Sequence, residues 1–479
     1  MKQGEFRAVL EFLVVWQTES DDGGLLVVNA RIYRQQHGGG ILRKLNVAVC
    51  ILTLFCLGTA MIAPAQTISF TSLFSFNGDD GIGPEYLALV QGTDGNFYGI
   101  ANTGGANCYP GEGCGTVFKI SPSGVQTTLH NFCSQGQYCL DGEYPAGGLV
   151  QGRDGNFYGT TERGGANGWG VIYSVSPSGN FNVVYNFCSQ ASCADGAWGY
   201  GGMALGTDGN FYGVTFQGGA PGSCPDNLGC GTVFKLTPSG ALTTLHSFRG
   251  APADDGANPR ATMVQGRDGN FYGTTWHGGG GVSSRCNPTG CGTVFKITPS
   301  GTTSTVYTFC SQANCTDGDY PYAGLVQASD GNFYGTTTYG GSSGCATFGC
   351  GTAFKLTPAG SLSTLYTFCS RSGCSDGQWP YGTLVQSSAN GNFYGTTVNG
   401  GGHGDRCPGG CGTVYKMTAA GALSTLHIFG GPDGGWPRGG LVQSNTGAFY
   451  GTTYEGGTYG DYGTVFLVGD HGICATCHP

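Results

Sequence analysis

The sequence predicts an all-β protein, a seven-bladed β-propeller with four antiparallel strands per blade, and three observations carry that prediction. First, the frame Gly-Asn-Phe-Tyr-Gly recurs at intervals of 54 to 62 residues, its Asn standing at Asn96, Asn156, Asn210, Asn270, Asn332 and Asn392, with Ala448 in a degenerate seventh copy. A period of this length marks one supersecondary unit stacked in tandem, each copy unable to bury its apolar face alone. Second, the apolar runs within each repeat are short, β-branched or aromatic and bounded by Gly, Pro, Asp or Asn, with no helical i, i+3, i+4 spacing. Third, the two ends of the array are complementary. The last repeat stops after its third strand at residues 463–468, and the missing fourth strand starts the array, where Thr71-Ser72-Leu73-Phe74-Ser75-Phe76 matches Ser363-Thr364-Leu365-Tyr366-Thr367-Phe368. An open solenoid has no use for a permuted start, whereas a ring closes on it.

The repeat over residues 320–368 shows the strands in order. Ala-Gly-Leu-Val-Gln (323–327) is the first, and Ser329-Asp330-Gly331 turns the chain into Asn-Phe-Tyr-Gly-Thr-Thr (332–337), the second. A Gly-rich loop leads to Gly-Thr-Ala-Phe-Lys-Leu (351–356), and a Thr-Pro-Ala-Gly turn leads to Ser-Thr-Leu-Tyr-Thr-Phe (363–368). Asp-Gly and Pro-x-Gly sit where tight hairpins need a residue with positive φ. Seven such sets occupy residues 67–468, flanked by a leader (1–66) and a C-terminal tail (469–479).

The repeated Asp-Gly-Asn-Phe-Tyr-Gly-Thr-Thr, Gly-Gly and Gly-Thr-Val-Phe-Lys pattern resembles the secreted bacterial tandem repeats called GloVer, found in choice-of-anchor proteins. It is also similar to the Asp-x-x-Gly-Asn-Leu-Trp-x-Gly-Thr blades of two-component-regulator sensor propellers. The resemblance implies a propeller in an envelope or extracellular setting and carries over no catalytic residue.

The leader agrees with export. Arg43-Lys44, the apolar stretch Leu45 to Met61 and Ala63-Pro64-Ala65 are the three parts of a secretory signal over about residues 43–65. The run is short for a membrane anchor, so no stable membrane span is expected after cleavage. Residues 1–42 are unrepeated and read as an over-extended start.

Of 22 cysteines, 18 lie in the repeats at short spacings. Five pairs fall between second and third strands: Cys108/Cys114, Cys224/Cys230, Cys286/Cys291, Cys345/Cys350 and Cys407/Cys411. Four follow fourth strands: Cys133/Cys139, Cys188/Cys193, Cys310/Cys315 and Cys369/Cys374. Repeats that lose one member of a pair lose both, which predicts nine local disulfides in a secreted chain. A metal would need two pairs converging with His ligands, and the loop pairs belong to different blades, so no metal site is expected. At the C-terminus, Cys474-Ala475-Thr476-Cys477-His478 has the spacing of covalent haem attachment. With His471 too close to serve easily as a second axial ligand, a tenth disulfide or a truncated tail is the expectation over haem.

Only 10% of residues are charged and the net charge is −9, which leaves no electrostatic footprint for nucleic acid. The repeated Lys119, Lys235, Lys296, Lys355 and Lys416 read as the solvent side of an alternating strand.

Function is expected on the face that carries the variable loops and all nine cysteine pairs. Each blade-to-blade linker there has an Asp-Gly, at Asp80, Asp141, Asp195, Asp255, Asp317, Asp376 and Asp433, and five place an aromatic three residues on: Tyr144, Trp198, Tyr320, Trp379 and Trp436. The aspartates are candidates either for turns that cap their own backbone or for a ring binding sugar hydroxyls or a cation such as calcium. The aromatics are candidates for inter-blade packing or for a stacking platform, since flat amphipathic rings suit the C–H faces of sugars. Symmetry is broken by Asn258-Pro259-Arg260, by Trp276-His277 and by Trp169, which could mark a pocket. His130, His246 and His427 take the place of Tyr185, Tyr307 and Tyr366 and read as packing. The sequence contains no nucleophile elbow, zincin pair, Walker loop or dinucleotide fingerprint. The expectation is a monomeric, non-catalytic propeller binding an extracellular glycan or a cell-surface protein, polysaccharide first. A glycan hydrolase or lyase, and then a structural or adhesion protein, are the alternatives.

Overall fold

Seven four-stranded antiparallel sheets follow one another through residues 68–470 of the computed structural model. Blade 5 is typical: Val326–Gln327, Phe333–Thr337, Thr352–Leu356 and Leu362–Thr367 pair in that order. The seventh sheet joins Val442–Gln443, Phe449–Thr453 and Thr464–Asp470 to Ile68–Ser75, so the N-terminal strand supplies the fourth position and closes the ring. The expected permuted clasp is therefore present.

Contact clustering separates residues 1–65 from residues 66–479. In the first unit the structure describes one antiparallel hairpin, Phe12–Ser20 with Leu26–Arg34. In the second it describes residues 68–470 except 85–87, 107–113, 135–137, 221–223, 225–227, 251–254, 281–285, 287–288, 342–344, 346–347 and 403–406. The expected secretory signal, Cys108, and Cys474, Cys477 and His478 lie outside the described residues. Among those described, no helix is long and apolar enough to cross a membrane.

The pentapeptide frame owes its recurrence to contacts between blades. In every blade the Tyr stacks on the Phe of the next: Tyr98 on Phe157, Tyr158 on Phe211, Tyr212 on Phe271, Tyr272 on Phe333, Tyr334 on Phe393, Tyr394 on Phe449, and Tyr450 back on Phe97, with centroids 3.8 to 4.4 Å apart. The preceding turn holds each Tyr in place. Asp94 accepts from the Asn96 backbone N–H and side chain and from the Tyr98 hydroxyl at 2.7 Å. The glycine after the Tyr is a packing requirement, because a Cβ on Gly335 would stand 2.7 Å from Phe354 Cζ and 2.9 Å from Leu325 Cδ2. The first five residues of each second strand are accordingly buried, as expected for sheets covered on both faces.

A second ring of bonds runs through the first-strand glutamines. Gln151 accepts from Thr93 N–H of the previous blade, Gln327 from Arg267 and Gln386 from Ser329, and Gln91 accepts from Asn445 across the closure. The closing joint is thus built from the same contacts as the internal joints. On that turn face Lys296 and Lys355 pair with the turn aspartates of their own blades, Asp268 and Asp330, at 3.0 and 2.9 Å, whereas Lys119 donates to Pro177 O of the next blade.

Candidate functional site: an aromatic mouth on the disulfide face

The linkers carry a left-handed residue at one equivalent position in all seven blades. It is Gly83, Tyr144, Trp198, Asn258, Tyr320, Trp379 and Trp436, with φ between 51° and 59°. Gly and Asn adopt this conformation readily, whereas a side chain with a bulky Cβ substituent pays about 1–2 kcal/mol. Five aromatics therefore stand where the backbone disfavours them. The backbone is clamped from both sides: Trp379 N–H donates to Cys350 O at 2.9 Å, and Trp379 O accepts from Val398 N–H at 3.1 Å. Tyr144, Asn258, Tyr320 and Trp436 donate in the same way to the carbonyls of Cys114, Cys230, Cys291 and Cys411. In the two blades that lack loop cysteines, Trp169 and Tyr462 supply the carbonyl instead, to Trp198 and Gly83.

The disulfides support these clamps. Eight join described residues: Cys133–Cys139, Cys188–Cys193, Cys224–Cys230, Cys286–Cys291, Cys310–Cys315, Cys345–Cys350, Cys369–Cys374 and Cys407–Cys411. Cys114 is also disulfide-bonded. Within one blade the loop pair and the linker pair meet. The Sγ atoms of Cys286, Cys291 and Cys310 lie within 4.8 Å of one another, as do those of Cys345, Cys350 and Cys369. The propeller packs the second-to-third loop against the linker that leaves the same blade, a proximity not visible along the chain.

The linker aspartates turn inward. Asp141, Asp195, Asp317 and Asp376 are fully buried, while Asp80, Asp255 and Asp433 keep partial exposure. Asp376 accepts from the Tyr366 hydroxyl at 2.6 Å and from Ser370 N–H and Oγ at 2.9 and 2.8 Å. Asp195 and Asp317 accept from Tyr185 and Tyr307 in the same way, and His130 and His427 bond Asp141 and Asp433 at 3.0 and 2.8 Å through Nε2. Tyr and His therefore exchange because both present a donor to the linker carboxylate. Burial pushes the Asp141 carboxyl up, but the bonds from His130 and Ser134 outweigh it and hold it below the usual carboxylate range. These four buried carboxylates cap the linker and shape the mouth; they are not offered to solvent.

The aromatics, in contrast, remain half-exposed. Trp198 lies parallel to Phe216 at 6.3 Å and near Trp169 at 6.2 Å, and the Arg163 guanidinium is 5.8 Å from Tyr144 and 5.9 Å from Trp198. Tyr320 meets Trp276 and Tyr339, and Tyr339 meets Trp379. The result is a belt of rings across blades 2 to 5. Two residues beyond six of the seven left-handed positions lies a second row that sequence reasoning did not single out apart from Arg260: Ala146, Tyr200, Arg260, Tyr322, Tyr381 and Arg438. Tyr200, Arg260, Tyr322, Tyr381 and Thr383 line one small depression. Tyr322 and Tyr381 stack at 4.7 Å, and burial holds the Tyr381 phenol well above the usual tyrosine range. The signal available in the sequence was the frame Asp-Gly-x-aromatic-Pro, whose next residue carries the inner row.

The symmetry-breaking residues converge as well. Asn258 Nδ2 donates to Phe216 O at 3.0 Å, so its Oδ1 faces His277 Nδ1 at 3.1 Å and the proton sits on that nitrogen. Burial, aided by the Arg260 charge, lowers the His277 pKa to about 4, leaving the imidazole neutral near pH 7.

A disulfide-clipped ring of seven repeats with a loop-built mouth defines the class: a seven-bladed β-propeller. The chain belongs to the Gloeobacter/Verrucomicrobia repeat family, whose model matches residues 56–223, 111–348, 189–404 and 343–477. Among curated proteins none matches this sequence. A solved fungal alcohol oxidase in complex with copper is similar in fold at 12% identity and TM-score 0.50, with 83% of this chain and 75% of the oxidase covered. The extracellular domain of a protein described as a hybrid two-component system from B. thetaiotaomicron is similar at 11% identity and TM-score 0.48 over 83% of this chain. The chain spans 39% of that protein's length. The PQQ-bound aldose sugar dehydrogenase of Streptomyces coelicolor is similar at 13% identity and TM-score 0.39, covering 85% of this chain and 100% of the enzyme.

Proposed function

We propose that this protein is an extracellular binding module that takes a polysaccharide at the aromatic mouth. One observation carries the reading: five aromatic residues occupy a left-handed backbone position that Gly83 and Asn258 show can be filled without an aromatic. Strain kept at one place on a rigid scaffold points to use at that place. Half-buried indole and phenol rings offer flat apolar area, which matches the C–H faces of a pyranose. Small disulfide loops behind each ring suit an oxidising compartment and fix the rings in advance of binding.

The test is binding of the oxidised protein to a panel of neutral and acidic polysaccharides, beside the triple variant Trp198→Ala/Trp379→Ala/Trp436→Ala. Binding by the native protein that the variant loses supports the platform. Equal binding by both overturns it. Sugar fragments released from the bound polymer would turn the reading toward catalysis.

A further inference from the structure

Arg260 is unlike any other cation in the described part of the protein. Its guanidinium lies 4.3 Å from the centroid of Trp276, 4.5 Å from Phe216, 4.9 Å from Tyr200 and 5.1 Å from Tyr322. One nitrogen, Nη1, donates to the Tyr322 hydroxyl at 2.8 Å, and Nε is buried without a partner. Among the described residues no carboxylate pairs with it. Glu162, whose charge acts on the Tyr200 phenol, pairs with Arg163 at 3.4 Å. A partly desolvated arginine is ordinarily matched by an anion, because leaving its charge unmatched is costly. This chain has 29 acidic residues against 20 basic ones, yet among the described residues none is paired with Arg260.

Four rings surround the guanidinium and Nη1 is taken by the Tyr322 hydroxyl, so Nη2 is the donor left to meet a ligand. Nη2 has no partner among the described residues, and Arg260 lines the depression beside the stacked pair Tyr322–Tyr381. On the far side of that pair Arg438 lies 4.0 Å from the Tyr454 centroid and acts electrostatically on Tyr381. A planar cation edge beside a flat aromatic wall, with the neutral hydroxyls of Tyr381 and Thr383 alongside, has the complement of a sugar ring that bears a carboxylate.

We propose that the depression at Arg260 is a subsite for a uronic-acid residue, so that the polymer taken at the mouth is an acidic polysaccharide. The proposal rests on the glycan reading above. The carboxylate would accept from Arg260 Nη2, and the sugar ring would lie against the Tyr322–Tyr381 wall.

Titration calorimetry with polygalacturonate and alginate oligomers, each beside its carboxyl-reduced neutral counterpart, tests both levels separately. The native protein is expected to bind at least one acidic form about tenfold to a hundredfold more tightly than its reduced partner, the range of one charge-assisted bond. Arg260→Gln should abolish that preference while leaving affinity for the reduced polymer unchanged, and Arg260→Lys should retain part of it. Binding that is indifferent to carboxyl reduction overturns the subsite and leaves the glycan reading standing. An Arg260→Gln variant that weakens acidic and neutral forms alike makes the arginine a packing residue and also overturns it. Binding of none of the polymers, acidic or reduced, overturns the glycan reading and the subsite together.

Discussion

Tyr272 and Tyr450 occupy the same place in blades 4 and 7, but their hydroxyls have different surroundings. Tyr272 donates to Asp268 at 2.9 Å. In blade 7 Thr446 stands where that aspartate would be, and the Tyr450 hydroxyl has no hydrogen-bond partner among the described residues. Both rings stack on the Phe of the following blade, at 4.2 and 4.0 Å. Truncating either ring to alanine removes a buried aromatic at a blade joint and should cost about 3–5 kcal/mol. Removing only the hydroxyl separates the two sites. Tyr272→Phe gives up a bond to a carboxylate that is 41% exposed, so about 1 kcal/mol is expected, while Tyr450→Phe should be neutral within about 0.5 kcal/mol. Guanidinium unfolding of the oxidised protein, followed by tryptophan fluorescence, gives the midpoints for all four variants. The reasoning is refuted if Tyr450→Phe loses as much as Tyr272→Phe. It is equally refuted if Tyr450→Ala is much milder than Tyr272→Ala, since the closing joint would then not be equivalent to an internal one.

Other expectations follow from the same contacts. Asp94, Asp154, Asp208, Asp268 and Asp330 are pushed up by burial but held below the usual carboxylate range by stronger bonds from Asn and Tyr, and Asp433 by His427. Groups of this sign contribute stability above their unfolded pKa and lose it as pH falls through the folded one. The unfolding midpoint should therefore be flat from about pH 5 to 8 and drop below about pH 4. Asp80, Glu143 and Glu455, raised chiefly by burial, act in the opposite direction, and a midpoint that rises as pH is lowered from 8 to 5 would mean they dominate. Gly335→Ala should cost about 1–3 kcal/mol by forcing Phe354 aside, whereas Gly95→Ala, with no atom within 4 Å of the new Cβ, should cost only the backbone strain of about 1 kcal/mol. Each disulfide closes a loop of four to six residues, for which chain entropy allows about 2 kcal/mol. Reduction should speed hydrogen exchange in the linkers at residues 369–376 and 310–317 while the second strands stay protected, and uniform loss of protection would show that the clips hold the ring itself.

Much of the architecture is written along the chain because a propeller is built from local pairings. Strand order, turn chemistry, the paired cysteines and the permuted clasp all involve residues within one repeat or at the two ends of the array, where spacing is informative. The aromatic residues of the mouth were legible for the same reason, as a repeated offset from Asp-Gly. What they do there was not. The Tyr-to-Phe stacks join residues about one repeat apart, and only the closed ring shows that the frame is an inter-blade fastening. The aspartates share one sequence pattern with a cation-binding or sugar-binding ring, but their direction depends on the linker backbone, which turns four of them inward onto Tyr, His and Ser. Tertiary structure likewise decided that the aromatics stand in the left-handed region, since φ at those positions is imposed by hydrogen bonds from two neighbouring blades. Arg260, Phe216, Trp276 and Tyr322 lie in four separate stretches of the chain, and only the packing of blades 3 to 5 brings them together into one cage.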